Sequence, residues 1–136
     1  PLKEAMESLK SISPDLVFTH HRHDGHQDHR TVAELTWNTF RNHLILEYEI
    51  PKYDPDLTNP NAFFPLTESE ADRKVASLMT CFESQRDRRW FVPETFMALM
   101  RIRGMQAASP TGLAEGFHAP KFWILTDTLR HSNAWA

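Results

Sequence analysis

The stretch that most constrains this chain runs from Pro14 to His43, where a short apolar run, a histidine-rich loop and an amphipathic segment follow one another directly. Asp15-Leu16-Val17-Phe18-Thr19 has the length and the β-forming side chains of a buried strand. Val32, Ala33, Trp37, Phe40 and Leu44 then recur at helical spacing, which predicts a helix over residues 29–43, with Asp28 or a neighbour capping its start. Upstream, Leu2, Ala5, Met6, Leu9 and Ile12 share a helical face until Ser13-Pro14 ends it, because proline disfavours helical geometry in the residue before it. Helix, buried strand, helix is the rhythm of an α/β fold with a parallel sheet, whose ligands gather beyond the carboxyl ends of the strands. The histidines follow that end of the expected strand.

Leu44, Leu46, Tyr48 and Ile50 alternate, predicting a strand ended by Pro51. Residues 51–65 hold four prolines among Asn and Asp and read as a long loop, a kind of segment that is often functional. Thr67-Glu68-Ser69-Glu70 is a capping box opening a helix through Ala71, Val75, Leu78, Met79 and Phe82. Pro93 opens another helix that turns Phe96, Leu99 and Met100 inward and ends near Gly104. Residues 121–125 read as a last short strand. No repeat or domain boundary interrupts the 136 residues, so one domain over 1–136 is expected.

A net charge of −3 provides no broad basic field, and nucleic acid is set aside as a partner. No run approaches the roughly 20 apolar residues of a membrane span, so no membrane association is expected. The single cysteine, Cys81, excludes an intrachain disulfide and a two-cysteine zinc site, and favours a cytoplasmic location. Cys81 itself is expected to be an inert packing residue. The abrupt opening on a charged amphipathic segment suggests a chain cut from a longer protein.

Five of the eight histidines fall between His20 and His29, in His20-His21-Arg22-His23-Asp24-Gly25-His26-Gln27-Asp28-His29. Imidazole ligates metals and titrates near neutrality, so metal binding, proton transfer and pH sensing all have a physical basis. His26 and His29 lie three apart at a loop-to-helix junction with carboxylates beside them, a spacing in which one ring can ligate while the other moves a proton. A solvated loop that picks up metal adventitiously is the competing reading.

The run Asp24-x-His26-x-Asp28-His29-Arg30, after the strand Pro14 to His20, resembles the downstream signature of the PIG-L/LmbE-like zinc-dependent N-deacetylases. Glu47 to Tyr53, Arg73-Lys74-Val75 through Ser84-Gln85, and Gly112 to Phe117 look like later segments of that family in the same order. The resemblance implies a Rossmann-like α/β fold with a mostly parallel sheet. It assigns His29 as a zinc ligand, His26 as general acid and oxyanion stabiliser, and Asp28 as the residue orienting His26. The implied cofactor is Zn2+ and the implied substrate an N-acetylated amino sugar or related amide.

The family's other metal ligands and its general base come from an Ala-His-Pro-Asp-Asp-Glu motif after the first strand, and these 136 residues contain none. The chain is therefore expected to lack the first strands of the sheet, and to be incomplete or inactive alone, since a catalytic zinc ordinarily takes three protein ligands. An uncovered sheet edge invites pairing with another chain, so a homo-oligomer is expected. Arg30, Lys52, Tyr53 and Glu115 are further candidates for substrate contact, each weighed against a plain surface role.

Overall fold

The computed structural model describes residues 1–124. Helix α1 (Leu2–Ser8) continues as a 3-10 turn (Leu9–Ile12) and leads into strand β1 (Leu16–His20). Helix α2 (Gln27–Thr39) crosses over to β2 (Leu44–Tyr48). The long loop ends in β3 (Ala62–Pro65), followed by α3 (Glu68–Cys81), α4 (Pro93–Gln106) and β4 (Ala114–His118). The four strands form one sheet in the order β1-β2-β4-β3.

The α/β class is as expected, but the pairing is mixed rather than mostly parallel. β1 and β2 run parallel from Leu16↔Leu44 to His20↔Tyr48, the geometry a helical crossover requires. β4 enters between β2 and β3 and is antiparallel to both. Strand direction depends on how a chain returns to the sheet, and residue periodicity does not carry it. The loop expected over 51–65 ends in β3, an edge strand where Pro65 is tolerated because its missing N–H faces no partner. β4 lies in the family-like segment around Gly116 and was not expected as a strand. The strand expected at 121–125 is not formed over 121–124, which carry no regular structure, and Leu125 lies outside the described residues.

Helix boundaries follow their caps. In α3, Thr67 accepts the Glu70 N–H at 3.3 Å while the Glu70 carboxylate accepts the Thr67 N–H at 2.8 Å, the reciprocal box read from the sequence. Pro93 occupies the first turn of α4, where its lack of an N–H costs nothing. α4 passes through Gly104 rather than stopping there. A Cβ on Gly104 would lie 2.1 Å from the Gly112 carbonyl oxygen, so glycine is required by close approach of the β4-leading backbone. Cys81, expected to pack, is exposed.

Alternation along the strands assigns the two sheet faces. Thr19, Ile45 and Glu47 face α2, where the Thr19 and Thr36 hydroxyls bond at 3.1 Å. Leu66, Ala71, Met100 and Leu113 form a buried cluster with Val75 and Met97, joining α3 and α4 to the start of β4. The Arg103 guanidinium, 4% exposed, pairs with Glu49 just beyond β2 and donates to the Thr58 carbonyl at 3.0 Å, fastening the long loop to α4. On the opposite face Leu16, Phe18 and Leu44 are exposed. Among the described residues no helix is long and apolar enough to cross a membrane.

Glu47 is 1% exposed and accepts from Trp37 Nε1 at 2.6 Å, with His21 Nδ1 at 2.8 Å and the Arg22 N–H at 3.2 Å. Removing one member of such a buried network leaves its partners desolvated and unpaired. Glu47→Ala is expected to cost about 3 kcal/mol, read as a lowered urea midpoint with unchanged slope. A loss below about 1 kcal/mol, within the range of an ordinary exposed pair, would show that the network is incidental to the fold.

Candidate active site

β1 ends at His20, and the next six residues turn the chain into α2 at the carboxyl edge of the parallel pair. His26 is the N-cap, with extended backbone (φ −80°, ψ 128°) and its Nδ1 accepting the Asp28 N–H at 3.2 Å. The cap is therefore His26, two residues before Asp28. In a neutral ring an accepting Nδ1 leaves the proton on Nε2, so this bond sets His26 as a hydrogen-bond donor on its outer side. Asp28 is exposed in the first turn of the helix and holds His26 through its backbone N–H. Among the described residues the bond between Asp28 and His26 is this one from the backbone N–H.

Asp24 organises the loop from within. It is 3% exposed, and its Oδ1 accepts the His26 N–H at 2.8 Å, a local bond two residues forward that tightens the turn. Its Oδ2 lies 3.1 Å from His29 Nδ1 and its Oδ1 lies 3.1 Å from Lys52 Nζ. The His29 contact has the distance of a hydrogen bond without full alignment. Burial alone would push the Asp24 pKa up. The His26 N–H, His29 and Lys52 together outweigh that and hold it below its ordinary value.

His20 and His29 stack with centroids 4.0 Å apart and planes 2° from parallel, and the His26 ring lies 4.6 Å from His29. Burial, followed by repulsion from His29, pushes the His20 pKa down to about 4. Its Nε2 meets the Tyr48 hydroxyl at 3.3 Å. Burial and the nearby Asp24 carboxylate raise the Tyr48 pKa in turn.

The remaining candidates are placed differently. Arg30 lies in the cluster, but its guanidinium donates to the carbonyls of Asp24 and Gly25 at 2.8 and 2.6 Å and braces the loop. The Lys52 side chain is 9% exposed and bridges Asp24 and Asp56, so it clamps two loops. Tyr53 is 65% exposed, and its hydroxyl accepts the Arg89 N–H at 3.2 Å. Glu115, on β4, pairs with Lys74 of α3. Tyr53 and Glu115 thus make their contacts away from the histidine rings.

Among the described residues no group of three or more His, Cys, Asp or Glu side chains is arranged to hold a metal. His29 is suited to donate, but these residues do not form a complete zinc site by themselves. His20 is the site residue that the sequence reading left as a plain loop or structural histidine, and Asp24 was noted beside His26 and His29 without being separated from Asp28 as the carboxylate that meets His29. The position of His20 at the end of a predicted strand was a usable signal. The clamp of Lys52 on Asp24 spans 28 residues and leaves no local trace.

No family model matches the chain, and no curated protein matches it. Its fold is that of two solved proteins. The conserved protein TT1542 from Thermus thermophilus superposes with a TM-score of 0.70 at 17% identity, over 98% of this chain and 64% of that one. GalB, the 4-carboxy-2-hydroxymuconate hydratase from Pseudomonas putida, superposes with a TM-score of 0.69 at 17% identity, over 93% of this chain and 60% of that one. The chain thus spans less than two thirds of either neighbour.

The depressed His20 pKa has a definite sign. Between pH 6.5 and about 4 the unfolded chain binds a proton at His20 that the folded chain does not. Stability from the neutral ring is present above pH 6.5 and is lost as the pH falls toward about 4. His20→Gln should flatten this part of the profile, so the stability gap between wild type and variant narrows on acidification. Parallel urea-midpoint profiles for the two proteins would remove His20 as the cause.

Proposed function

We propose that the chain carries one wall of a PIG-L/LmbE-like zinc-dependent N-deacetylase centre, acting on N-acetylated amino sugars or related amides. The observation that carries the reading is the pairing of His26 and His29, rings 4.6 Å apart, at the carboxyl edge of the parallel strands. The order of family-like segments along the sequence and the likeness in fold to longer proteins support it. In this reading His29 is one donor to Zn2+, and His26 delivers its outward Nε2 proton to the departing nitrogen. The backbone N–H of Asp28 keeps that proton on Nε2. Tyr53, exposed in the long loop, is the candidate most accessible to a sugar.

The missing donors and the general base would come from polypeptide outside these 136 residues, and a cytoplasmic setting suits the single cysteine. The isolated chain is expected to bind zinc weakly through His29 and to release no acetate from an N-acetylated amino sugar. Calorimetric titration with zinc, repeated on His29→Ala, checks the first part, and unchanged binding by the variant would sink the assignment. Zinc-dependent acetate release abolished by His29→Ala would instead show that the chain is a complete enzyme.

A second reading is a non-catalytic chain that self-associates. It is favoured by the exposed apolar face carrying Leu16 (37% exposed), Phe18 (55%) and Leu44 (41%), next to the sheet-edge strand β1. Light scattering at micromolar concentration is expected to return a homo-oligomer that Phe18→Glu shifts toward monomer. A monodisperse wild-type monomer would exclude self-association through this face.

A further inference from the structure

The two neighbouring imidazoles of the site are held by different partners. His26 receives a backbone N–H on its Nδ1, which fixes the proton on Nε2. His29 brings its Nδ1 to 3.1 Å from the buried carboxylate of Asp24, close enough for a strong electrostatic effect though short of full hydrogen-bond alignment. At that distance an ionised carboxylate repels a ring lone pair and attracts an N–H. The side chain of His29 is partly open, and among the described residues its Nε2 makes no hydrogen bond.

We infer that Asp24, clamped by Lys52, is a positioning residue that holds His29 as the Nδ1–H tautomer, leaving the Nε2 lone pair free for a ligand. His26 and His29 thereby carry opposite tautomers three residues apart, one presenting a donor and the other an acceptor. The inference deepens the hydrolase reading and rests on it for the identity of the ligand, but the tautomer is a property of the metal-free chain.

The clamp explains why a carboxylate can be kept ionised in so enclosed a position. Lys52 Nζ lies 3.1 Å from Asp24 Oδ1 and also pairs with Asp56, whose Oδ2 accepts the Gly25 N–H at 2.6 Å. The Arg30 guanidinium adds two bonds to the carbonyls of Asp24 and Gly25. The Asp24 side chain thus cannot swing away from His29 without breaking its ion pair with Lys52 and its bond from the His26 N–H. Carboxylate-to-histidine contacts of this kind set ring orientation and donor strength at metal sites generally. They are set here by residues that read in the sequence as a loop acid and a substrate-binding lysine.

The test is the long-range proton–nitrogen correlation spectrum of histidine-labelled, metal-free full chain at about pH 8.5, roughly two units above an ordinary histidine pKa. His29 is assigned by its loss in His29→Gln. Wild type should show His29 in the Nδ1–H form and His26 in the Nε2–H form. Asp24→Asn, which replaces a carboxylate oxygen by an amide, should convert His29 largely to Nε2–H, and Asp24→Glu should retain the wild-type form. His29 in the Nε2–H form in wild type, or unchanged in a folded Asp24→Asn, would overturn the inference. The wild-type spectrum decides the matter even if Asp24→Asn does not fold. The predicted tautomers in a chain whose zinc binding ignores His29 would leave the positioning role of Asp24 standing and remove only the hydrolase reading.

Discussion

A buried carboxylate near the end of β2 holds together the part of this molecule that carries the histidine cluster. Glu47 ties the strand to α2 through the Trp37 indole and to the histidine loop through His21 and the Arg22 N–H. Arg22 in turn lies over the Trp37 ring at 4.5 Å, so the start of the loop is packed on the helix that ends it. Strand, helix and loop are thereby fixed relative to one another at a single atom pair. Desolvating an acid so completely is costly unless its oxygens are all met, and here three donors meet them. The position of His20, His26 and His29 follows from that fixed frame.

Two further charged contacts extend the frame to the long loop. Arg103 with Glu49 and Thr58 fastens the loop to α4, and Lys52 with Asp24 and Asp56 fastens it to the histidine turn. The loop of many prolines is therefore a bound wall of the site. His118, at the end of β4, stacks on His21 at 4.1 Å, and burial followed by repulsion from His21 lowers its pKa. The consequence is a histidine array divided in two. One set faces Glu47 and packs the fold, and the other faces Asp24 and remains available for chemistry.

The division assigns different tasks to residues of one type within ten positions. His21 is consumed by the Glu47 network, while His26 caps a helix and keeps an outward proton. His29 lies between a stacked ring and a carboxylate. Such an arrangement suits proton donation beside a lone-pair donor, which is half of what amide hydrolysis at a metal requires.

Much of the local structure was legible in the residues alone. The Thr67–Glu70 box, Pro93 at a helix start and the helical stripe from Val32 to Phe40 act through neighbours a turn away, so their consequences are written locally. The same holds for the histidine run, whose density and place after an apolar strand made it the candidate site. Tertiary structure decided the rest. The direction of β4, the need for Gly104 against Gly112, and the roles of Lys52 and Glu47 all depend on groups brought together across long stretches of chain. A residue's identity states what it can bond, and only packing determines which partner excludes water from it first. For that reason Lys52, a candidate for substrate contact or a plain surface cation by its sequence, is a buried clamp, and Asp24, one acid among several, is the carboxylate that meets His29.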